Sequence, residues 1–224
     1  AWKSGARFSF DMLGEGARTA PDAQGYFESY SSAIKEIVDK RAGQGAIESD
    51  SISVKISALH PRYEERQEQR VMSELYPRLL ALAESAKAGG IGLSIDAEES
   101  ERLMLSMRLF DALAKAPSLH GWNGLGFVLQ AYQKRALSVC HWLADLARAS
   151  SRVIPVRLVK GAYWDREIKH AQELGLQDYP VFTRKCHTDL SYQVCAETLL
   201  SYSQEIYPQF ATHNAHTVAL ILEC

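Results

Sequence analysis

Short apolar runs alternate along the chain with longer segments of helical periodicity, the pattern of a parallel β/α protein. ARFSFDML (Ala6 to Leu13) reads as a first strand, and Ala23 to Ala42 as a helix closed by Gly43 and Gly45. SISVKISAL (Ser51 to Leu59) predicts a second strand, followed by a helix from Tyr63 to Ala88 that ends at Gly89-Gly90. IGLSID (Ile91 to Asp96) predicts a third strand with a helix through Ala116, and LGFVLQAY (Leu125 to Tyr132) a fourth with the helix Lys134 to Ala149. VIPVRLV, from Val153, is apolar almost without alternation, as expected of a strand covered on both faces, and leads to a charged helix beginning near Asp165. A helical insert is expected over Tyr179 to Ile206, punctuated by Pro180 and Pro208. PQFATH (Pro208 to His213) then predicts a sixth strand, Asn214 an N-cap, and the remainder a helix that runs out at Cys224.

The fifth strand is where the pattern breaks. Arg157 interrupts an otherwise apolar run, and the run ends in Lys160, Gly161, Tyr163 and Trp164. A guanidinium in such a strand needs an acceptor that offsets its desolvation, and a lysine beside a glycine offers a second cation next to backbone that can approach an anion closely. That combination points to a bound anionic cofactor; pairing of Arg157 with a structural carboxylate, with Gly161 merely turning the chain, is equally compatible with this segment alone. Polar residues recur in the same place elsewhere. Lys55, Asp96, Gln130, Arg157 and His213 all fall in or just beyond the C-terminal half of successive strands, where β/α barrels gather catalytic groups. A doubly wound sheet would instead collect its ligand after a glycine-rich first turn, and LGEGART, with Gly14 and Gly16, lacks GxGxxG. A closed eight-stranded barrel cut short therefore fits better than an open sheet.

Composition narrows the function. At 224 residues, 46% hydrophobic and 23% charged, the chain can bury a full core as one domain. A net charge of −2 argues against a nucleic-acid surface on this segment. Cys140, Cys186, Cys195 and Cys224 have no CxxC spacing, so a disulfide scaffold or zinc site is not expected, and reduced cytosolic thiols are. No apolar run reaches the length of a spanning helix, and the N-terminal AWKSGARFSF lacks a signal-peptide pattern. His213 and His216 have HxxH spacing, but without a nearby third ligand no metal is expected. The run YEERQEQR reads as a solvated helix face, and Trp2, Trp122 and Trp142 as packing residues.

SVKISALHPRY, LSIDAEES, GFVLQAYQKR, VRLVKGAYWD, YPVFTRK and QFATHNAHT, ordered blocks spread over nearly the whole chain, resemble the flavin-dependent proline dehydrogenase domain of bifunctional bacterial proline-utilisation flavoproteins. The resemblance implies a (β/α)8 TIM-barrel-like fold over residues 1–224, truncated after about six β/α units, with FAD at its C-terminal face. It implies oxidation of L-proline to Δ1-pyrroline-5-carboxylate, the first step of proline catabolism to glutamate, with electrons passed to quinone at a membrane surface. The sequence stops inside the helix after the sixth strand, so the last two strands, the final helix and a family arginine pair that grips the substrate carboxylate are expected to be missing, as in a fragment. A cytoplasmic, homo-oligomeric full-length protein is implied, with membrane association of the reduced form admitted, and relatives carry DNA-binding or aldehyde dehydrogenase modules that this segment does not display.

By the same resemblance Arg157 answers charge near N5 and N1 of the flavin, and Gln130 meets its pyrimidine edge. Lys160, Gly161, Thr183 and Lys185 hold pyrophosphate or ribose, with Val159 beside them, while Trp164 stacks on the cofactor and Thr212, His213 and Asn214 form a second flavin-contacting segment. Lys55 pairs with the proline carboxylate, Asp96 sits beside it, and Tyr163 packs near the ring. A barrel aldolase with Lys55 or Lys160 as Schiff-base nucleophile, or an inactive structural segment, are the competing readings.

Overall fold

A computed structural model describes residues 6–12, 14, 16–40 and 45–224. Trp2, and the expected ends of the first strand and first helix at Leu13, Ala42 and Gly43, lie outside the described residues. Among the described residues six strands are hydrogen-bonded in chain order, and the chain divides into two compact units, one of Ala1–Asp96 and Glu101–Gly126, the other of Ala97–Ser100 and Phe127–Cys224.

The first unit contains β1 (Ser9–Asp11), α1 (Ala20–Asp39), β2 (Ser51–Val54), α2 (Glu68–Glu74), α3 (Tyr76–Gly89), β3 (Gly92–Ile95), α4 (Leu103–Ala114) and the first residues of β4 (Leu125–Gln130). β1 pairs parallel with β2 and β2 with β3, the latter in register from Ser51↔Gly92 to Val54↔Ile95. Ile52, Val54, Leu93 and Ile95 are completely buried, as a strand covered on both faces requires. α1 starts three residues before the sequence expectation because Thr19 and Asp22 form a reciprocal cap: the Thr19 hydroxyl accepts the Asp22 N–H at 3.2 Å and the Asp22 carboxylate accepts the Thr19 N–H at 2.9 Å. The single helix expected over Tyr63 to Ala88 is two, because Pro77 in the first turn of α3 has no N–H with which to continue α2. The second strand ends at Val54 rather than Leu59. Beyond Lys55 the chain winds into a 3₁₀ turn, Ile56–Ala58, whose residues are as deeply buried as the strand's and so prolong its apolar pattern.

The second unit contains the rest of β4, α5 (Ala136–Ala149), β5 (Ile154–Val159), α6 (Trp164–Glu173), α7 (Lys185–Ser201), β6 (Ile206–Phe210) and α8 (Ala215–Glu223). β5 pairs parallel with β4 and with β6, so that Val128↔Arg157↔Gln209 and Val156↔Pro208 lie at common levels. The sixth strand thus begins at Ile206 and ends at Phe210, not at Pro208 and His213. Pro208 is a ladder member, in register with Val156, and β6 runs through it. The expected insert is helical only over α7; ahead of it Phe182 donates its N–H to the Tyr132 carbonyl at 2.8 Å and Pro180 accepts the Lys134 N–H at 3.0 Å. Asn214 caps α8 as expected, its side chain accepting the Thr217 N–H at 3.0 Å.

Gly89, the last residue of α3, lies where a Cβ would overlap the Val38 side chain of α1. An alanine in an ordinary helix gains up to about 1 kcal/mol over glycine, whereas overpacking costs about 1–3 kcal/mol. Gly89→Ala is therefore expected to lower stability in urea by about 1 kcal/mol, and the same change in a Val38→Ala background to have no such cost; equal effects in both backgrounds would contradict this packing.

Candidate active site

In the first unit three consecutive strands each end in a charged side chain. Val54↔Ile95 is the last paired level of β2 and β3, so Lys55 and Asp96 leave the ladder side by side, and the Lys55 ammonium is ion-paired to the Asp96 carboxylate. Asp11, which ends β1, lies 3.9 Å from the same ammonium. Lys55 and Asp96 are largely withdrawn from water, their side chains 11% and 16% exposed, so the pair is less screened than a surface salt bridge. The backbone beneath is fixed as well: the Lys55 N–H donates to the Tyr30 hydroxyl at 3.1 Å. Burial pushes that hydroxyl up to about 12, so it remains protonated at neutral pH.

In the second unit the ends of β4 and β5 are joined through one amide. Gln130, buried at the end of β4, accepts the Ala162 N–H at 2.9 Å with Oε1 and donates from Nε2 to the Glu98 carbonyl at 2.8 Å. One of its N–H groups is left over for another acceptor. Glu167 of α6 reinforces the same loop, its carboxylate accepting both the N–H and the hydroxyl of Ser100 at 2.6 Å. Val159 is half-buried and its carbonyl accepts the Ala131 N–H, while the Lys160 carbonyl accepts the Tyr132 N–H, which carries the ladder past the end of β5.

Gly161 follows with φ +147°, and a Cβ there would meet the Tyr132 ring at 2.5 Å. Only glycine suits both conditions. Beside it, Lys160 is gathered with Lys185 by one carboxylate: Asp189 accepts from Lys160 at 2.6 Å with one oxygen and from Lys185 at 2.5 Å with the other. The two ammonium groups, Lys160 first, hold the Asp189 carboxyl below the usual carboxylate range. These residues line a pocket of about 340 Å³ with Asn214 and Thr217. Two cations gathered by one carboxylate at the edge of this pocket suit a phosphate-bearing ligand.

The remaining expected residues are placed as follows. Arg157 is half-buried in β5. Tyr163 occupies the N-cap position of α6, and Trp164, in its first turn and 42% exposed, donates its indole N–H to the Phe182 carbonyl at 3.0 Å. That bond brings the expected stacking residue next to Thr183, which is exposed. Thr212 accepts the Asn214 N–H at 3.1 Å, and His213 is exposed between them. Sequence reasoning missed Asp11, Asp189 and Glu167. Asp11 carries the same strand-end signal as Lys55 and Asp96, whereas Asp189 and Glu167 sit on helices, where a carboxylate reads as solvated surface.

The Proline dehydrogenase family model matches residues 1–224. The chain belongs to the proline dehydrogenase family. It is 56% identical over 221 residues to the bifunctional protein PutA of Escherichia coli, covering 99% of this chain and 17% of that protein, and 54% identical to the PutA of Rhizobium meliloti. A crystal structure of Bradyrhizobium japonicum Proline Utilization A has a TM-score of 0.95 at 56% identity, covering 97% of this chain and 22% of the other. The chain thus spans about 17% of the curated PutA proteins it matches, and shares the α/β fold of their proline dehydrogenase region. Lys55 and Lys160 are each ion-paired to a carboxylate, Asp96 and Asp189 respectively.

Gly161→Ala is expected to strain the backbone and displace the Tyr132 ring together, costing about 2 kcal/mol or more. Urea unfolding and tryptophan fluorescence, sensitive to Trp164, check this; a variant as stable as the parent would show that the turn can relax.

Proposed function

We propose that this chain supplies the catalytic groups of an FAD-dependent dehydrogenase that oxidises L-proline to Δ1-pyrroline-5-carboxylate and passes the electrons to a quinone, within a barrel of the (β/α)8 type. The observation that carries the reading is the proline dehydrogenase match over every residue of the chain, because that reaction needs the two kinds of charge found at these strand ends. A zwitterionic substrate calls for a cation with an acidic neighbour, as in Lys55 and Asp96. A diphosphate calls for paired cations, as in Lys160 and Lys185. The residues present therefore fit the flavin.

FAD, when bound, supplies the acceptor for the hydride of the proline ring. The protein's part is to bind, orient and compensate charge. Lys55 takes the substrate carboxylate through a charge-assisted hydrogen bond, and Asp96 and Asp11 fix the ammonium and offset its charge. Arg157 offers a guanidinium that cannot lose its proton, so positive charge stands where negative charge arrives, without reorganisation during the transfer. Gln130 presents its remaining N–H from a carboxamide already fixed at both ends. Lys160, Lys185 and Thr183 would hold the diphosphate, Trp164 would stack, and Thr212, His213 and Asn214 would contact the cofactor from the segment that caps α8. The family resemblance alone leads us to assign the protein to the cytoplasm, with quinone met at the membrane surface; among the described residues no helix is long and apolar enough to cross a membrane.

Two substitutions in the full-length protein separate the cofactor side from the substrate side. Arg157→Met should lower proline-to-dye electron transfer by roughly 100-fold or more and reduce flavin content, with far-ultraviolet circular dichroism unchanged. Lys55→Met should raise KM for proline roughly tenfold or more while flavin content stays at the parent level, because it removes one charge-assisted bond to substrate. Parent-like turnover in the first variant, or a loss of flavin instead of proline affinity in the second, would refute the respective assignment.

A further inference from the structure

One face of α7 remains unexplained by the assignments above. Lys185, Asp189 and Tyr192 follow one another at helical spacings of four and three, and so share a side of that helix. All three line the pocket of about 340 Å³ beside Lys160, whose ammonium lies 5.8 Å from the centre of the Tyr192 ring. Tyr192 is 1% exposed, yet its hydroxyl has no hydrogen-bond partner among the described residues. A buried phenol without a partner costs stability, and a protein retains one where a ligand satisfies it. Burial pushes this phenol up to about 12, so at neutral pH it is a donor.

Asp189 faces a different problem. Lys160 comes from the end of β5 and Lys185 from the start of α7, and two ammonium groups close enough to grip one diphosphate repel each other. Holding two long flexible side chains in place also costs conformational entropy. The two oxygens of Asp189 meet both demands before any ligand arrives, one oxygen to each lysine. An ammonium group has three donors, so each lysine keeps donors for an incoming phosphate.

We infer that this face of α7 completes the diphosphate site: Asp189 is a positioning residue that holds Lys160 and Lys185 ready for one anion, and the Tyr192 hydroxyl donates directly to the bound ligand. The inference rests on the flavin reading above for the identity of the ligand but not for its chemistry, which is that of a diphosphate.

The test uses the full-length protein freed of flavin and titrated with FAD, with riboflavin and with inorganic pyrophosphate. Asp189→Asn should weaken FAD and pyrophosphate about tenfold and leave riboflavin unaffected, because only the phosphates meet the lysines. Tyr192→Phe should also weaken FAD severalfold, yet leave the melting temperature of the ligand-free protein equal or higher, since an unsatisfied hydroxyl has been removed. A structural role would instead lower the melting temperature and weaken all three probes together. Unchanged or tighter FAD and pyrophosphate binding in Asp189→Asn overturns the positioning role, and unchanged FAD binding in Tyr192→Phe overturns the ligand contact. If the parent binds pyrophosphate but not FAD, the flavin reading fails while the variants still decide the inference on pyrophosphate. If it binds neither, both fall.

Discussion

In-register parallel pairing is the constraint on which the rest depends. When strands run side by side in one direction, their ends arrive at the same level, and the first residues to leave the ladder are neighbours by construction. Val54↔Ile95 makes Lys55 and Asp96 adjacent, and Gln130↔Val159 brings the amide of Gln130 to the loop that carries Lys160 and Gly161. Inside the ladder most side chains are apolar, with Arg157 a charged exception at a paired level. Most of the charged groups of the site stand at the strand ends, where chemistry gathers.

The two compact units use the principle differently. In the first, neighbouring strand ends neutralise one another directly, cation to carboxylate, leaving a compact polar cluster over an apolar floor whose deepest support is Tyr30. In the second, strand ends are tied by neutral hydrogen bonds through Gln130, and the cations are balanced from a helix instead. Opposite charges set beside each other suit a small zwitterion. Cations that a helix gathers from two places suit an extended anion, which must be met at more than one point.

Much of this was legible in the sequence because burial on both faces leaves an unmistakable apolar run, as in LGFVLQ and VIPVRLV, and because a polar residue at the end of such a run has few structural reasons to be there. The failures share one cause. The apolar pattern reports burial, not conformation, so the buried 3₁₀ turn at Ile56–Ala58 lengthened β2 on paper. Pro208 reads as a break, yet β6 runs through it in register with Val156, and Pro77 was passed over where it did divide a helix. Asp189 and Glu167 were invisible because their significance lies in partners 29 and 67 residues away, and nothing local distinguishes them from carboxylates that face water.

The turn at Gly161 bears on how the sequence can drift over time. Two independent conditions exclude a side chain there, the ring of Tyr132 and a dihedral of +147°. A smaller residue at position 132 would lift the first and leave the second untouched, so no single compensating change opens position 161 to mutation. Lineages can therefore exchange the aromatic neighbour without ever freeing the glycine, and substitutions at the two positions should accumulate at different rates even though the residues touch.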